Sequence, residues 1–143
     1  MSNMKINIGN SYLSNKVDNI PEQLQVSIQP QYLGITNITS TSTGRVLITK
    51  YGNNVTLTFS TLLGTTQNTW ITIPQGVIPS EFLPSSQAAV CGTLRVYDNN
   101  VNKLGSFDIN QGNIIINGDI GPATPFGNNP NSGFFAFSVS YNL

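Results

Sequence analysis

The residues able to do chemistry in this chain are few. Six carboxylates, Asp18, Glu22, Glu81, Asp98, Asp108 and Asp119, stand beside six Lys and Arg, one cysteine and no histidine. A pair of carboxylates is the minimal equipment for glycoside hydrolysis, one as acid and the other as base or nucleophile. These six do not cluster in sequence. Asp98 and Asp119 fall in or beside turns, where Asp is ordinarily structural. Asp108 alternates with Phe107 and Ile109, which places it on the polar side of a strand. The lack of His excludes Ser-His-Asp and Cys-His sites and His-based metal centres. Cys91 alone can make neither a thiolate metal site nor an internal disulfide, and its apolar run predicts a buried, inert thiol. No Gly-rich phosphate loop, Rossmann fingerprint or Asp-rich calcium loop occurs. The expectation is a non-enzymatic protein with no cofactor and no metal.

What remains is recognition. Arg95 and Tyr97 share one predicted strand face with Thr93. Phe126, Asn128, Asn129 and Asn131 lie in a long Pro- and Asn-rich stretch, Gly121 to Gly133. A connection of this length is often functional. These six residues are the candidate ligand contacts, because aromatic rings stack on sugar faces. Trp70 is expected in the core.

Composition narrows the partners. Charged residues make up 8% of the chain, against roughly 25% in an average soluble protein. The polar surface must therefore be Asn, Ser, Thr and Gln. No basic stripe is present, so nucleic acid is not an expected partner. No polybasic run points to anionic lipid, and no window approaches the roughly 20 apolar residues of a membrane helix. The N-terminus shows no signal-peptide pattern, so a soluble product made in the cytoplasm is expected. A surface poor in Lys and Glu suits repeated subunit contacts or a neutral ligand. It also gives weak protection against edge-to-edge strand pairing, so a homo-oligomer is expected.

The elements that must position these residues are strands. Leu24, Val26 and Ile28 alternate with Gln and Ser. Val55, Leu57 and Phe59 alternate with Thr and Ser. Phe135, Phe137, Val139 and Tyr141 alternate with Ala136, Ser138, Ser140 and Asn142. Such period-two runs put one side-chain set on a core. Turn residues punctuate them: Gly52-Asn53-Asn54, Asp98-Asn99-Asn100 and Gln111-Gly112-Asn113. The spacing predicts about nine strands in an all-β, antiparallel, jelly-roll-like sandwich. Residues 18–25 have room for one helical turn. Residues 75–87, with Pro79 and Pro84, are predicted to cross an open end of the sandwich as an extended segment, not a strand. Residues 1–43 are expected to form an arm giving one or two strands to the head or to assembly, residues 44–143 the sandwich head, the whole being one compact domain.

Residues 44–143 resemble the receptor-binding heads of bacteriophage tail fibres and related viral spikes. The resemblance is carried by the Arg45–Tyr51 and Val55–Leu62 hairpin, the following Trp70-Ile71-Thr72-Ile73-Pro74, and the crossing segment with Val77-Ile78-Pro79, Phe82 and Pro84. Ile114-Ile115-Ile116-Asn117-Gly118 and the last strand Ser138-Val139-Ser140-Tyr141 complete it. The Asn- and Ile-rich usage also resembles that of giant viruses and virophages. The resemblance implies a small β-sandwich, a homotrimer, a place in the virion and exposed tips that bind a host glycan or protein receptor. Unlike a whole fibre, the chain shows no heptads and no Gly-X-Y repeat, hence no shaft. Two other functions fit the composition: a capsid or assembly protein with no ligand of its own, and a carbohydrate-binding module. Exposed aromatics at an outer tip favour ligand binding; the same rings buried between subunits favour assembly.

Overall fold

A computed structural model describes residues 25–85, 89–120 and 125–143. Eleven strands form two antiparallel sheets. In chain order they are β1 (Gln25–Ile28), β2 (Ile38–Thr39), β3 (Val46–Tyr51), β4 (Asn54–Phe59), β5 (Leu62–Thr66), β6 (Ile71–Ile73), β7 (Val90–Asp98), β8 (Val101–Asn110), β9 (Asn113–Asn117), β10 (Ser132–Phe134) and β11 (Phe137–Asn142). One sheet runs β1-β3-β4-β11; the other runs β2-β5-β10-β7-β8-β9-β6. The all-β sandwich expected from the alternation is what forms, and no α-helix occurs among the described residues. Most of the predicted helical turn lies outside them.

The hairpins follow from turn chemistry. Each of the three predicted turns closes a two-residue loop needing positive φ. Gly52 joins β3 to β4 at φ 61°, Asn99 and Asn100 join β7 to β8 at 52° and 64°, and Gln111-Gly112 joins β8 to β9 at 50° and 88°. Asn and Gly tolerate that region, which matches the right-handed twist of paired strands.

Two strands read as single runs in the sequence are split between the sheets. The run 55–62 breaks at Ser60-Thr61, so β4 lies in one sheet and β5 in the other. The run 135–141 breaks too: Phe134 ends β10 in the seven-stranded sheet and Phe137 opens β11 in the four-stranded one. The two crossings adjoin, for the Ala136 N–H donates to the Thr61 hydroxyl at 2.9 Å. The crossing reverses the expected facing. Phe134 is the core ring, whereas Phe135 lies on the outer face.

The aromatics close the core between the sheets. Phe59 stacks on Phe137 at 4.5 Å, and Phe107 and Phe134, from the opposite sheet, contact Phe137 at 4.8 and 6.1 Å. Tyr32 packs against Phe59 and Phe134 and donates its hydroxyl to the Ser60 carbonyl. Residues 75–85 form no strand. Val77, Ile78 and Phe82 are buried there, with a short 3₁₀ turn at Ser80–Phe82 that the extended reading did not anticipate. Val26 departs from expectation: it is 40% exposed, because β1 is the margin of its sheet and pairs with β3 alone.

Burial pushes the Tyr32 and Tyr141 hydroxyls up to about 12. A raised folded-state value means that folding favours the protonated phenol. This stabilisation is complete below the ordinary value of about 10 and is lost as pH rises toward 12. Alkaline unfolding in that window is expected. Tyr32→Phe should flatten the pH dependence there, as followed by circular dichroism.

Candidate ligand-binding face

Strand β7 alternates across its sheet. Leu94 and Val96 point into the core, while Cys91, Thr93, Arg95 and Tyr97 point outward. Strand β10 pairs with β7, Gly133 opposite Tyr97 and Phe134 opposite Val96. The Phe135 N–H then donates to the Arg95 carbonyl, which brings the Phe135 ring onto the outer face. The Arg95 guanidinium carbon lies 3.9 Å from the centre of that ring, and Tyr97 meets the same ring edge-on at 5.8 Å. Leu104, directly across from Arg95 on β8, is 53% exposed.

A cleft of about 330 Å³ opens on the other side of Tyr97. In the row Leu63–Gly133–Tyr97 the middle position carries no side chain, and Leu63 and Tyr97 are walls of the cleft, with Gly64 beside Leu63. Asn100, Pro130 and Asn131 form the rim, with the Asn100 N–H donating to the Asn131 carbonyl.

Asp98 holds this rim in place. Its Oδ1 accepts from the Gly127 N–H at 3.2 Å and the Asn129 amide at 3.4 Å; its Oδ2 pairs with Lys103 Nζ at 3.3 Å. The buried Thr66 adds a clamp, donating its N–H to the Asn129 carbonyl and its hydroxyl to the Gly127 carbonyl. Asp98→Ala strands several partners of a mostly buried carboxylate and is expected to cost about 1–3 kcal/mol. Faster hydrogen exchange at the Gly127 amide and a lower urea midpoint would show it. Asp98→Asn, which keeps an acceptor, should lose less.

The predicted contacts thus separate. Arg95 and Tyr97 share the outer face, and Asn131 joins Tyr97 at the cleft. Asn128 is exposed on the nearby loop, and Asn129 is tied to Asp98 and Thr66. Phe126 is a correction. At 1% exposure it is a core ring, anchored by its N–H to the Thr69 carbonyl, and it cannot meet a ligand from there. Trp70 is the opposite correction: it precedes edge strand β6 and is 37% exposed. Cys91 is exposed as well, since the outward parity of β7 overrides its apolar neighbours. Sequence reasoning missed Phe135, Leu63 and Gly133 as site residues. Their roles depend on β10 inserting between β5 and β7, a non-local pairing that the Gly- and Pro-rich stretch concealed.

Asp18 and Glu22 lie outside the described residues. Asp98 and Asp119 converge, but on Lys103, at 3.3 and 3.9 Å. Among the described residues no group of three His, Cys, Asp or Glu could hold a metal ion. A second cleft of about 350 Å³, between Tyr32, Ser40, Ser42, Thr43 and Gly44, carries no charged group, and its one aromatic is the buried Tyr32.

The opposite face of the sandwich carries the exposed Tyr51 and, at one end, a cleft of about 350 Å³ beside Arg45, Leu47 and Thr58; its middle is a row of hydroxyls. On the four-stranded sheet Thr56 pairs by hydroxyl with Ser140 at 2.7 Å and Thr58 with Ser138 at 2.8 Å. These hydroxyls satisfy each other within the chain.

No family model matches this chain, and no curated protein matches it. Among solved structures it is similar to a reovirus attachment protein, sigma1, crystallised in complex with alpha-2,3-sialyllactose. The identity is 12% and the TM-score 0.47, over 82% of this chain and 64% of that one. The chain therefore spans less than two thirds of the length of that chain.

Proposed function

We propose that this chain is a non-enzymatic, receptor-binding head of a viral or phage attachment protein, a component of the virion that binds a host-surface glycan or protein. The observation that carries this reading is the Arg95–Phe135–Tyr97 array beside a cleft walled by Leu63 and Tyr97. Outward-facing, half-buried aromatics such as Tyr97 and Phe135, with an Arg shelved on one of them, are residue types that concentrate binding energy at recognition surfaces. The resemblance of residues 44–143 to fibre heads supports the same reading. It also supports a homotrimer, which the uncharged hydroxyl face suits. Residues 25–43 give one strand to each sheet, β1 and β2, which supports one domain with the head.

The test is a glycan array probed with the purified protein, together with its mass by light scattering. Saccharide binding and a mass of three 15.4 kDa chains are expected. Binding to neither sugars nor host cells would sink the attachment reading. A second reading, an assembly protein with no ligand, is favoured by the hydroxyl face alone. It predicts that Tyr97 is protected from solvent in the oligomer.

A further inference from the structure

We propose that the Arg95 face reads a carboxylate, so that the ligand is an acidic saccharide with its carboxylate on the Arg95 guanidinium and its ring toward Tyr97. This rests on the receptor-binding reading and narrows it to a ligand class. Arg95 is exposed, and the ion pairs among the described residues are those of Lys103 with Asp98 and Asp119. Its partner across the β-ladder is Leu104, so no cross-strand acid faces it. The charge is therefore displayed without a carboxylate from the described fold.

The Arg95 guanidinium carbon sits over the Phe135 ring, 3.9 Å from its centre, and the residue is exposed, so its N–H groups remain within reach of a ligand. A carboxylate accepts two such parallel N–H bonds, a geometry that a lysine ammonium does not offer. Stacking also restricts the side chain before any ligand arrives, which lowers the ordering cost of binding.

The neighbours indicate a sugar. Tyr97 borders both the Arg95 array and the cleft, and Asn100 and Asn131 at the cleft rim carry amides suited to hydroxyl groups. A polyphosphate or nucleic acid would call for several cations on the face, and Arg95 stands there as the single cation of the β7 outer row.

Calorimetry with the full chain tests this, using a sialylated and a uronic-acid-terminated trisaccharide, each beside its own methyl ester. At least one acid is expected to bind, and its ester about tenfold to a hundredfold more weakly. Arg95→Gln should lose as much as esterification loses, and the ester should bind Arg95→Gln no worse than the acid does. Arg95→Lys should recover little. An unchanged melting temperature for the exposed Arg95→Gln separates lost binding from lost fold. Equal binding of acid and ester, or an unaffected Arg95→Gln, overturns the carboxylate inference and leaves the receptor reading standing. Binding of sulfated sugars or acidic peptides, but neither acid, overturns it equally. If neither acid binds, the inference fails, and attachment of the protein to host cells then shows whether the receptor reading fails with it.

Discussion

Phe59→Ala is expected to remove about 3–5 kcal/mol of stability, the range for deleting a buried phenyl ring. A domain of this size is stable by roughly 5–15 kcal/mol, so the variant should be partly unfolded near physiological temperature. The expectation is specific to this position. Phe59 has no exposed surface, ends β4 at the point where the chain leaves its sheet, and stacks on Phe137 at 4.5 Å with the rings only 10° from parallel. Tyr32 packs on its other side at 6.2 Å. Strand pairing holds the surrounding backbone on both flanks, Val46 on β3 and Phe137 on β11, so the hole can close only slightly. Phe59→Leu, which refills much of the volume, should cost less. Urea unfolding of both variants gives the comparison. A loss below about 1 kcal/mol for Phe59→Ala would mean that the aromatic cluster does not organise the core.

Gly133→Ala is the second large effect, and its cause is backbone. Gly133 sits at φ 141°, a region that residues with a Cβ rarely adopt. A Cβ there would collide with the Leu62 carbonyl oxygen and lie 3.0 Å from the Leu63 Cα. These are atoms of the neighbouring strand β5 and cannot rotate away. A loss of about 2–5 kcal/mol is expected from strain and overpacking together. The change should also disturb the cleft, since it would displace β5, whose Leu63 and Gly64 line it. The expected signature is a lowered urea midpoint with faster hydrogen exchange in β10 and its partners β5 and β7. Tolerance of Gly133→Ala without a shift in midpoint would contradict the assigned pairing of β10.

The pattern of what is legible in the sequence follows from the range of the interactions involved. Hairpin turns are local, and Gly52, Asn99-Asn100 and Gln111-Gly112 announce them by residue type. Period-two alternation places Val55, Leu57 and Phe59 correctly in the core, and Asp108 toward the polar side. The failures are non-local. In 135–141 nothing marks where the chain changes sheets, because alternation continues across the crossing; in 55–62 the parity slips at Ser60-Thr61, a local break that gives no direction to the other sheet. Alternation alone therefore puts Phe135 on the core face, whereas its ring shelves Arg95 outside. Strand β10 is three residues long and contains Gly133, so its central place between β5 and β7 is visible only once those partners are assembled. For the same reason half of the proposed binding face is legible. Arg95 and Tyr97 follow from one strand's parity, but the ring between them and the cleft beside them belong to β5 and to the β10 segment.

The most direct test is a map of amide shifts in ¹⁵N-labelled protein titrated with the saccharide that binds best. The account predicts that perturbations centre on Arg95, Tyr97, Asn100, Asn131, Gly133 and Phe135. The hydroxyl face of Thr56, Thr58, Ser138 and Ser140 should stay still. Shifts confined to that hydroxyl face, or to the cleft around Ser40 and Ser42, with the Arg95 array unmoved, would contradict the assignment of the binding face.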